Sequence, residues 1–152
     1  KGPDPHAGRP PPVALLAGRD FASGELREKL ESKGYDRDVV TAAVDELVEG
    51  KILDDARYAE HYVAYHAGRG QGPVRIGADL KALGLNAELI DAALATHPSW
   101  HAVAREVRIR KFGLEVPTDW SEKARQARFL QYRGFSADHI RAALGSDLDL
   151  DE

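Results

Sequence analysis

Apolar residues recur along this chain at the spacing of an α-helix, three or four positions apart. One stretch carries Val40, Ala43, Val44 and Leu47 at such intervals, with charged residues between them. That period places apolar side chains on one face of a helix, which must pack against other elements. The alternation of period two that marks a β-strand is absent throughout. The pattern therefore predicts an all-α protein built from amphipathic helices.

The apolar pattern belongs to an internal repeat with a period of 50 residues. Three segments align without gaps: Leu30-Glu-Ser-Lys-Gly34-Tyr35, Leu80-Lys-Ala-Leu-Gly84-Leu85 and Leu130-Gln-Tyr-Arg-Gly134-Phe135. A helix capping residue follows each of them, namely Asp36, Asn86 and Ser136. Self-similarity at a constant period indicates one supersecondary unit used several times, with neighbouring units sharing contacts.

Each part of the repeat has a physical role. The glycine is expected to end one helix by adopting the left-handed backbone conformation, and the apolar residue after it packs back on the core. The Asp, Asn or Ser that follows accepts a hydrogen bond from the free N–H groups of the next helix. A further helical stretch precedes each such pair, the first being the short Val13–Phe21. The predicted organisation is a flexible, proline-rich leader (1–11), three-helix repeats at 12–50, 51–97 and 98–145, and an acidic tail (146–152).

Composition excludes several classes of protein. The chain has 152 residues, a formal net charge of −4 and no cysteine, so disulfides, Cys-ligated zinc and thiol catalysis are excluded. No apolar run approaches the ~20 residues of a bilayer span, and no signal peptide is visible, which fits a cytoplasmic protein. Because the sequence contains no methionine and begins at Lys1, we expect it to be trimmed or incomplete at the N-terminus.

The net charge averages over regions of opposite sign. Residues 22–61 hold 11 acidic and 6 basic residues, whereas residues 100–134 hold 4 acidic and 8 basic ones. Arg105, Arg108 and Lys111 are three apart on one predicted helix, and Arg125 and Arg128 repeat that spacing on the next. These ridges are either solvated faces or a basic surface that contacts phosphate or an acidic protein.

No set of residues predicts an active site or a metal site. His61 and His66 are five apart and thus lie on different helix faces, and no His-Glu-x2-His motif occurs. Gly68-Arg-Gly-Gln-Gly72-Pro73 lacks the Gly-Lys-Ser/Thr ending of a phosphate loop, so we interpret it as a hinge between helices. A helix–turn–helix DNA reader is disfavoured because Asp38, Glu88 or Asp138 would stand in the first turn of the recognition helix.

The motifs resemble those of the RecX family, bacterial regulators of the RecA recombinase. In the second repeat the similar residues are Asp54-Asp55-Ala-Arg-Tyr58-Ala-Glu-His-Tyr62, then Arg69, Gly72-Pro73-x-Arg75-Ile76, Leu80 and Gly84. In the third they are Lys123 to Leu130, Arg133-Gly134-Phe135-Ser136 and Ile140. The first repeat also fits, with Glu25-Leu26, Leu30 and Lys33-Gly34. The resemblance spans about residues 13–145. Gln126 departs from it, because the family pattern has an apolar residue at that position.

The resemblance implies three tandem three-helix repeats in an elongated, curved strip of right-handed type. It also implies a regulator that binds the RecA filament on single-stranded DNA and inhibits its ATPase, strand-exchange and coprotease activities, without catalysis, cofactor, metal, membrane or small-molecule substrate. The alternative is a general nucleic-acid-binding repeat protein that uses a basic third repeat. The residues expected to contact RecA or DNA are Arg69, Arg75, Arg105, Arg108, Lys111, Arg125, Arg128 and Arg133. Structural motif roles are expected for Asp55, Tyr58, Gly72, Gly84, Gly134 and Phe135.

Overall fold

The computed structural model describes residues 21–97 and 99–145 as eight helices, with no strand among those residues. The helices are α1 (Ser23–Ser32), α2 (Arg37–Glu49), α3 (Asp55–Gly68), α4 (Pro73–Ala82), α5 (Ala87–Ala95), α6 (Trp100–Phe112), α7 (Trp120–Tyr132) and α8 (Ala137–Ala143). The all-α prediction is confirmed. The predicted leader, the acidic tail and nearly all of the first predicted helix lie outside the described residues.

The three glycine turns of the repeat have the same backbone bonds. Tyr35, Leu85 and Phe135 each donate their N–H to the carbonyl of the leucine five residues earlier, at 3.2, 3.2 and 3.1 Å. The preceding glycines have φ between +93° and +98°. This is the Schellman ending of a helix, in which a left-handed residue lets the chain turn back and satisfy the last carbonyls. The predicted role of the glycines is confirmed.

The predicted helix caps are also formed. Asp36 accepts a hydrogen bond from the N–H of Asp38 at 3.2 Å, and Asn86 accepts one from Leu89 at 2.9 Å. The hydroxyl of Ser136 accepts the N–H of His139 at 3.4 Å. Each bond satisfies one of the N–H groups that a helix leaves free at its start. Local chemistry therefore sets where α2, α5 and α8 begin.

The described residues fall into two compact units. Unit 1 contains residues 21–59 and 80–90, and unit 2 contains residues 60–79, 91–97 and 99–145. The core of unit 1 joins apolar residues of α1, α2 and the segments beside them: Phe21, Leu26, Leu30, Val40, Val44 and Leu53. A second core, in unit 2, joins α6, α7 and α8 through Ala104, Ala127, Leu130, Phe135, Ile140, Ala143 and Leu144. The longest described helix, α3, has 14 residues, and no described helix has the length and apolar character of a bilayer span.

Unit 2 contains a close contact between the start of α4 and the glycine turn after α7, which we call the second joint. The N–H groups of Gly72 and Val74 donate to the carbonyls of Arg133 and Gly134, both at 2.9 Å. A Cβ on Gly72 would overlap the carbonyl of Gly134 and lie 2.7 Å from the nitrogen of Phe135. The turn of the third repeat thus caps the middle helix of the second.

The glycine-rich segment before α4 is tied down by these bonds. Gln71 donates its N–H to the carbonyl of His66 at 3.0 Å, next to Gly70 with φ of +84°. The segment therefore ends α3 with its own Schellman turn and then enters the second joint. It connects two helices, as expected, and its contacts are those of an anchored turn.

Unit 1 contains the equivalent contact, which we call the first joint. Here the start of α1 meets the glycine turn after α4: a Cβ on Gly24 would lie 3.3 Å from the carbonyl oxygen of Leu83 and 3.9 Å from the Cα of Gly84. In both joints the glycine turn of one repeat packs on the start of a helix that belongs to the repeat before it. Each compact unit thus combines segments of two different sequence repeats.

Candidate anion-binding cleft

Unit 2 carries a cleft of about 170 Å³ that is lined mainly by basic side chains. Its lining residues are Arg69, Gly70, Val107, Arg110, Lys111, Phe129 and Arg133. The helices explain the grouping: Arg69 follows the last residue of α3, Arg110 and Lys111 lie in the last turn of α6, and Arg133 is the residue that caps the end of α7. Cations at helix C-termini are favoured by the helix dipole, so these positions suit basic residues.

Phe129 forms an aromatic wall between two of the cations. The Nζ of Lys111 lies 5.5 Å from the centre of its ring, and the guanidinium carbon of Arg133 lies 5.6 Å from it. The ring makes a T-shaped contact with that of Phe112, with the ring centres 5.3 Å apart. Cation–π contacts of this kind hold the charged groups near the ring without neutralising them. The Nε of Arg133 is buried and has no hydrogen-bond partner among the described residues.

Arg69 and Arg110 complete the charged lining. Arg69 donates to the hydroxyl of Tyr65 at 3.3 Å, and its guanidinium carbon lies 5.6 Å from the centre of that ring. Arg110 pairs with Glu106 at 3.2 Å, but both side chains are largely exposed, so solvent screens the pair. Four cations therefore face a small volume with little compensating charge.

The size and charge of the cleft favour a small anion or an anionic group of a larger molecule. Its volume is below the ~300 Å³ at which pockets for drug-sized ligands begin. Guanidinium and ammonium groups around a concave, partly apolar surface attract and hydrogen-bond phosphate or carboxylate oxygens. The arrangement therefore suits the binding of a small anion or of an anionic group.

The structure brings three of the sequence-predicted contact residues together in the cleft: Arg69, Lys111 and Arg133. Arg75, Arg105 and Arg128 are exposed but do not line it. Arg75 instead lies in the second joint, where a Cβ added to Gly134 would overlap the Cβ of Arg75. The predicted contact residues are thus spread over more than one part of the surface.

Arg125 is held by a carboxylate. Its Nε and Nη2 donate to the two carboxylate oxygens of Glu122 at 3.0 and 2.9 Å, and its guanidinium carbon lies 4.9 Å from the centre of the Phe112 ring. The hydrogen bond to Glu122 raises the pKa of Arg125, and the same bond lowers the pKa of Glu122. Because this fork is already occupied, Arg125 is less available for phosphate than the cations of the cleft.

Arg108 does not lie on an exposed ridge, which corrects the sequence prediction. Its residue surface is 1% exposed, and its guanidinium donates to three loop carbonyls: those of Gly113 at 3.3 Å, Glu115 at 3.2 Å and Leu114 at 3.4 Å. Burial lowers its pKa, and the charge of Arg105 lowers it further. Arg108 holds the loop between α6 and α7, because its guanidinium supplies donors to three carbonyls of that loop.

Sequence reasoning missed Arg110 and Phe129 as members of the site. The charge count of residues 100–134 included Arg110, but the three-residue spacing favoured Arg105, Arg108 and Lys111 instead. The available signal was Val107, which faces the cleft and stands three residues before Arg110. The burial of Gln126 also departs from its polar character: it is 4% exposed, and its Nε2 donates to Glu122 at 2.9 Å.

The motif residues outside the cleft have structural positions. The carboxylate of Asp55, at the start of α3, accepts hydrogen bonds from both the N–H and the hydroxyl of Ser23, each at 2.7 Å. It thereby fixes the first residue of α1. Tyr58, one helical turn later, is half-buried, and Phe135 is buried in the core of unit 2. Gly72, Gly84 and Gly134 are the residues of the two joints described above.

Three family models match this chain in sequence order. They are described as the first, second and third three-helix domains of RecX, and they match residues 13–47, 54–94 and 101–144. Two similar curated proteins are each named "Regulatory protein RecX". One, from Halorhodospira halophila, is 43% identical over 141 residues, which cover 92% of this chain and 88% of that protein. Another, from Pseudomonas fluorescens, is 42% identical over 137 residues, covering 89% and 88%.

Solved structures show the same fold at lower identity. The crystal structure of RecX from Lactobacillus salivarius superposes with a TM-score of 0.76 at 19% identity, covering 87% of this chain and 88% of that one. A second structure, titled a crystal structure of regulatory protein RecX, gives 0.74 at 18% identity, covering 89% and 68%. The matched relatives are named as regulatory proteins and not as enzymes. The three matched domains and the identity over most of its length show that this chain belongs to the RecX family.

Proposed function

We propose that this chain is a negative regulator of the RecA recombinase in the bacterial cytoplasm, acting in recombinational DNA repair and the SOS response. It binds the RecA filament on single-stranded DNA and inhibits ATP hydrolysis, strand exchange and coprotease activity. The observation that carries the proposal is the match of three successive RecX domains over most of the chain. Three repeats in one chain offer several attachment points, which raises the effective concentration of each after the first has bound.

The experiment measures ATP turnover by RecA on single-stranded DNA while this protein is titrated in. A ligand slows a working assembly only if it binds one of its states better than the others. We expect turnover to fall with increasing protein and to saturate. Unchanged turnover at protein concentrations well above that of RecA would refute the proposal.

We further propose that the basic cleft is part of the contact surface, together with the exposed Arg75, Arg105 and Arg128. Its cations and the wall formed by Phe129 suit the phosphates of the bound strand or an acidic face of the recombinase. The double variant Arg110→Gln/Lys111→Gln removes two exposed charges without touching the buried Arg108. We expect the inhibitory concentration to rise on the order of tenfold, which corresponds to about 1.4 kcal/mol.

The matched control is Lys33→Gln/Arg37→Gln, which removes the same charge from exposed positions of unit 1. We expect this control to inhibit as the unchanged chain does. Equal weakening in both double variants would mean that net charge alone matters, and equal inhibition by all three proteins would remove the cleft from the contact surface. Neither result would refute inhibition itself, which the first experiment tests.

A second candidate function is direct binding of single-stranded DNA through the same cleft. The specific observation in its favour is the convergence of four cations around one small volume. Each phosphate contact should add about 0.7 to the slope of log affinity against log salt for a single strand. We expect Lys111→Ala to reduce that slope by about 0.7, the value of one phosphate contact. Arg37→Ala should leave the slope unchanged. An equal slope in the chain and its Lys111→Ala variant would contradict this function.

A further inference from the structure

Two histidines and an aspartate meet at the starts of two helices of unit 2, away from the basic cleft. His101 is the second residue of α6, and Asp138 and His139 are the second and third residues of α8. Each of these residues offers one possible ligand atom, and the three atoms lie within 4.8 Å of one another. The residues are 37 and 38 positions apart along the chain, so sequence spacing does not reveal the cluster.

The geometry within the cluster is close to what one metal ion requires. The Nε2 of His101 lies 2.9 Å from the Oδ2 of Asp138, and the rings of His101 and His139 are 4.7 Å apart at 87°. Two ligand atoms of one tetrahedral zinc ion stand about 3.4 Å apart, given metal–ligand bonds of about 2.1 Å. Side-chain rotations that move these atoms by about an ångström are therefore sufficient, and the backbone can stay in place.

The cluster is held by the core and open to solvent. Ala104, one turn after His101, and Ile140, directly after His139, pack in the same core, which fixes α6 and α8 against each other. The side chains of His101 and Asp138 are 52% and 72% exposed, so an ion can reach them. The Nδ1 of His139 is buried and has no hydrogen-bond partner among the described residues. No hydrogen bond at Nδ1 therefore fixes which nitrogen of the ring carries the proton.

We propose that His101, Asp138 and His139 bind one divalent transition-metal ion, of the zinc, cobalt and nickel class, that links the start of α6 to the start of α8. Two imidazoles with one carboxylate suit these ions, whereas magnesium and calcium prefer sites made of oxygen atoms. Three protein ligands leave the remaining position to water. The proposal departs from the sequence analysis, which found no set of residues that predicts a metal site.

The test uses the full chain without a polyhistidine tag. Binding of cobalt is followed by its visible absorption, and binding of zinc by calorimetry and by the shift of the unfolding temperature. We expect one ion per chain and a higher unfolding temperature with zinc, because an ion that binds only the folded state stabilises it. Magnesium at the same concentration should leave the unfolding temperature unchanged.

Variants assign the site. His101→Ala removes an exposed side chain and should weaken zinc binding by about tenfold or more. His61→Ala, which removes an exposed histidine outside the cluster, should bind zinc as the unchanged chain does. Asp138→Asn serves as a second variant that keeps the size of the side chain and should also weaken binding. Absence of saturable zinc binding, or binding that is equal in His101→Ala and His61→Ala, would overturn the proposal.

Discussion

The two joints use the same glycine turn but differ in how closely the chains approach. In the second joint the start of α4 donates two hydrogen bonds of 2.9 Å to the turn, and neither Gly72 nor Gly134 leaves room for a Cβ. In the first joint a Cβ would fit beside Gly84 and would stand 3.3 Å from a carbonyl when placed on Gly24. The same glycine turn therefore occurs in one joint with close backbone hydrogen bonds and in another with looser packing.

The residue that enters the joint differs between the two. With the 50-residue period, the position equivalent to Gly72 in the first repeat is Ala22, which is fully buried. A glycine lets two backbones come into hydrogen-bond contact, whereas the N–H of Ala22 donates to the Oε1 of Glu25 at 3.4 Å. We infer that the residue at this position contributes to the difference between the two joints.

The largest effect is expected for Gly134→Ala. Gly134 has φ of +98°, and its new Cβ would overlap that of Arg75 and lie 2.8 Å from the backbone nitrogen of Arg75. Left-handed strain and overpacking together should lower the free energy of unfolding by about 3 kcal/mol. Tryptophan fluorescence during urea unfolding reports this loss, because Trp100 packs on the core of unit 2.

The control for that variant is Gly84→Ala, because Gly84 follows α4 in the same glycine turn with nearly the same φ, +93°, and no atom lies closer than 3.9 Å to the new Cβ. It should lose only the left-handed strain, about 1 kcal/mol. Equal losses in the two variants would show that the closer approach in the second joint adds nothing to stability.

The next effect is expected for Gly72→Ala, which tests close approach without a left-handed backbone. The new methyl group would overlap the carbonyl of Gly134 and push apart the two hydrogen bonds of the second joint. We expect a loss of about 2 kcal/mol in the same urea experiment. Gly68→Ala, at a position with no atom within 4 Å, is the matched control and should be neutral or slightly stabilising.

A smaller effect is expected for Gly84→Ala in the first joint. Its φ of +93° disfavours any side chain, but the nearest atom to the new Cβ, the Cα of Gly24, is 3.9 Å away. Strain alone should cost about 1 kcal/mol, measured by far-ultraviolet circular dichroism during urea unfolding. A loss as large as that of Gly134→Ala would mean that the two joints are equally tight and would break the comparison.

The smallest effect is expected for Gly24→Ala. The contact of 3.3 Å with the carbonyl of Leu83 is tight, but alanine stabilises a helix by about 0.5 to 1 kcal/mol relative to glycine. These opposing terms should leave the free energy of unfolding unchanged within about 0.5 kcal/mol. A loss above 2 kcal/mol would show that the carbonyl of Leu83 cannot move away from the new methyl group. The first joint would then be as tightly packed as the second.

The sequence predicted the parts of the fold that depend on neighbouring residues. The helices, the glycine turns and the caps follow from local hydrogen bonding, and three copies of one pattern reinforced that reasoning. The joints could not be predicted, because Gly72 and Gly134 are 62 residues apart, and nothing in either segment alone indicates the other.

The site was predicted less completely, for a physical reason. Charge counts do not distinguish a cation that faces solvent from one that binds carbonyls, so Arg108 was placed on a surface that it does not reach. Convergence of side chains from α3, α6 and α7 depends on packing, which the period of a single helix does not encode. For this reason Lys111 and Arg133 were named, but the aromatic wall between them was not.

The backbone bonds of the second joint also bear on how such a chain can be shortened or extended. Deleting the third repeat would leave the N–H groups of Gly72 and Val74 without their acceptors, at the start of a helix that remains. A duplicated 50-residue block would likewise contain only one partner of the joint with each neighbouring repeat. The 50-residue sequence repeats and the compact units therefore have different boundaries. A truncation is better designed to keep both partners of each joint than to end where a sequence repeat ends.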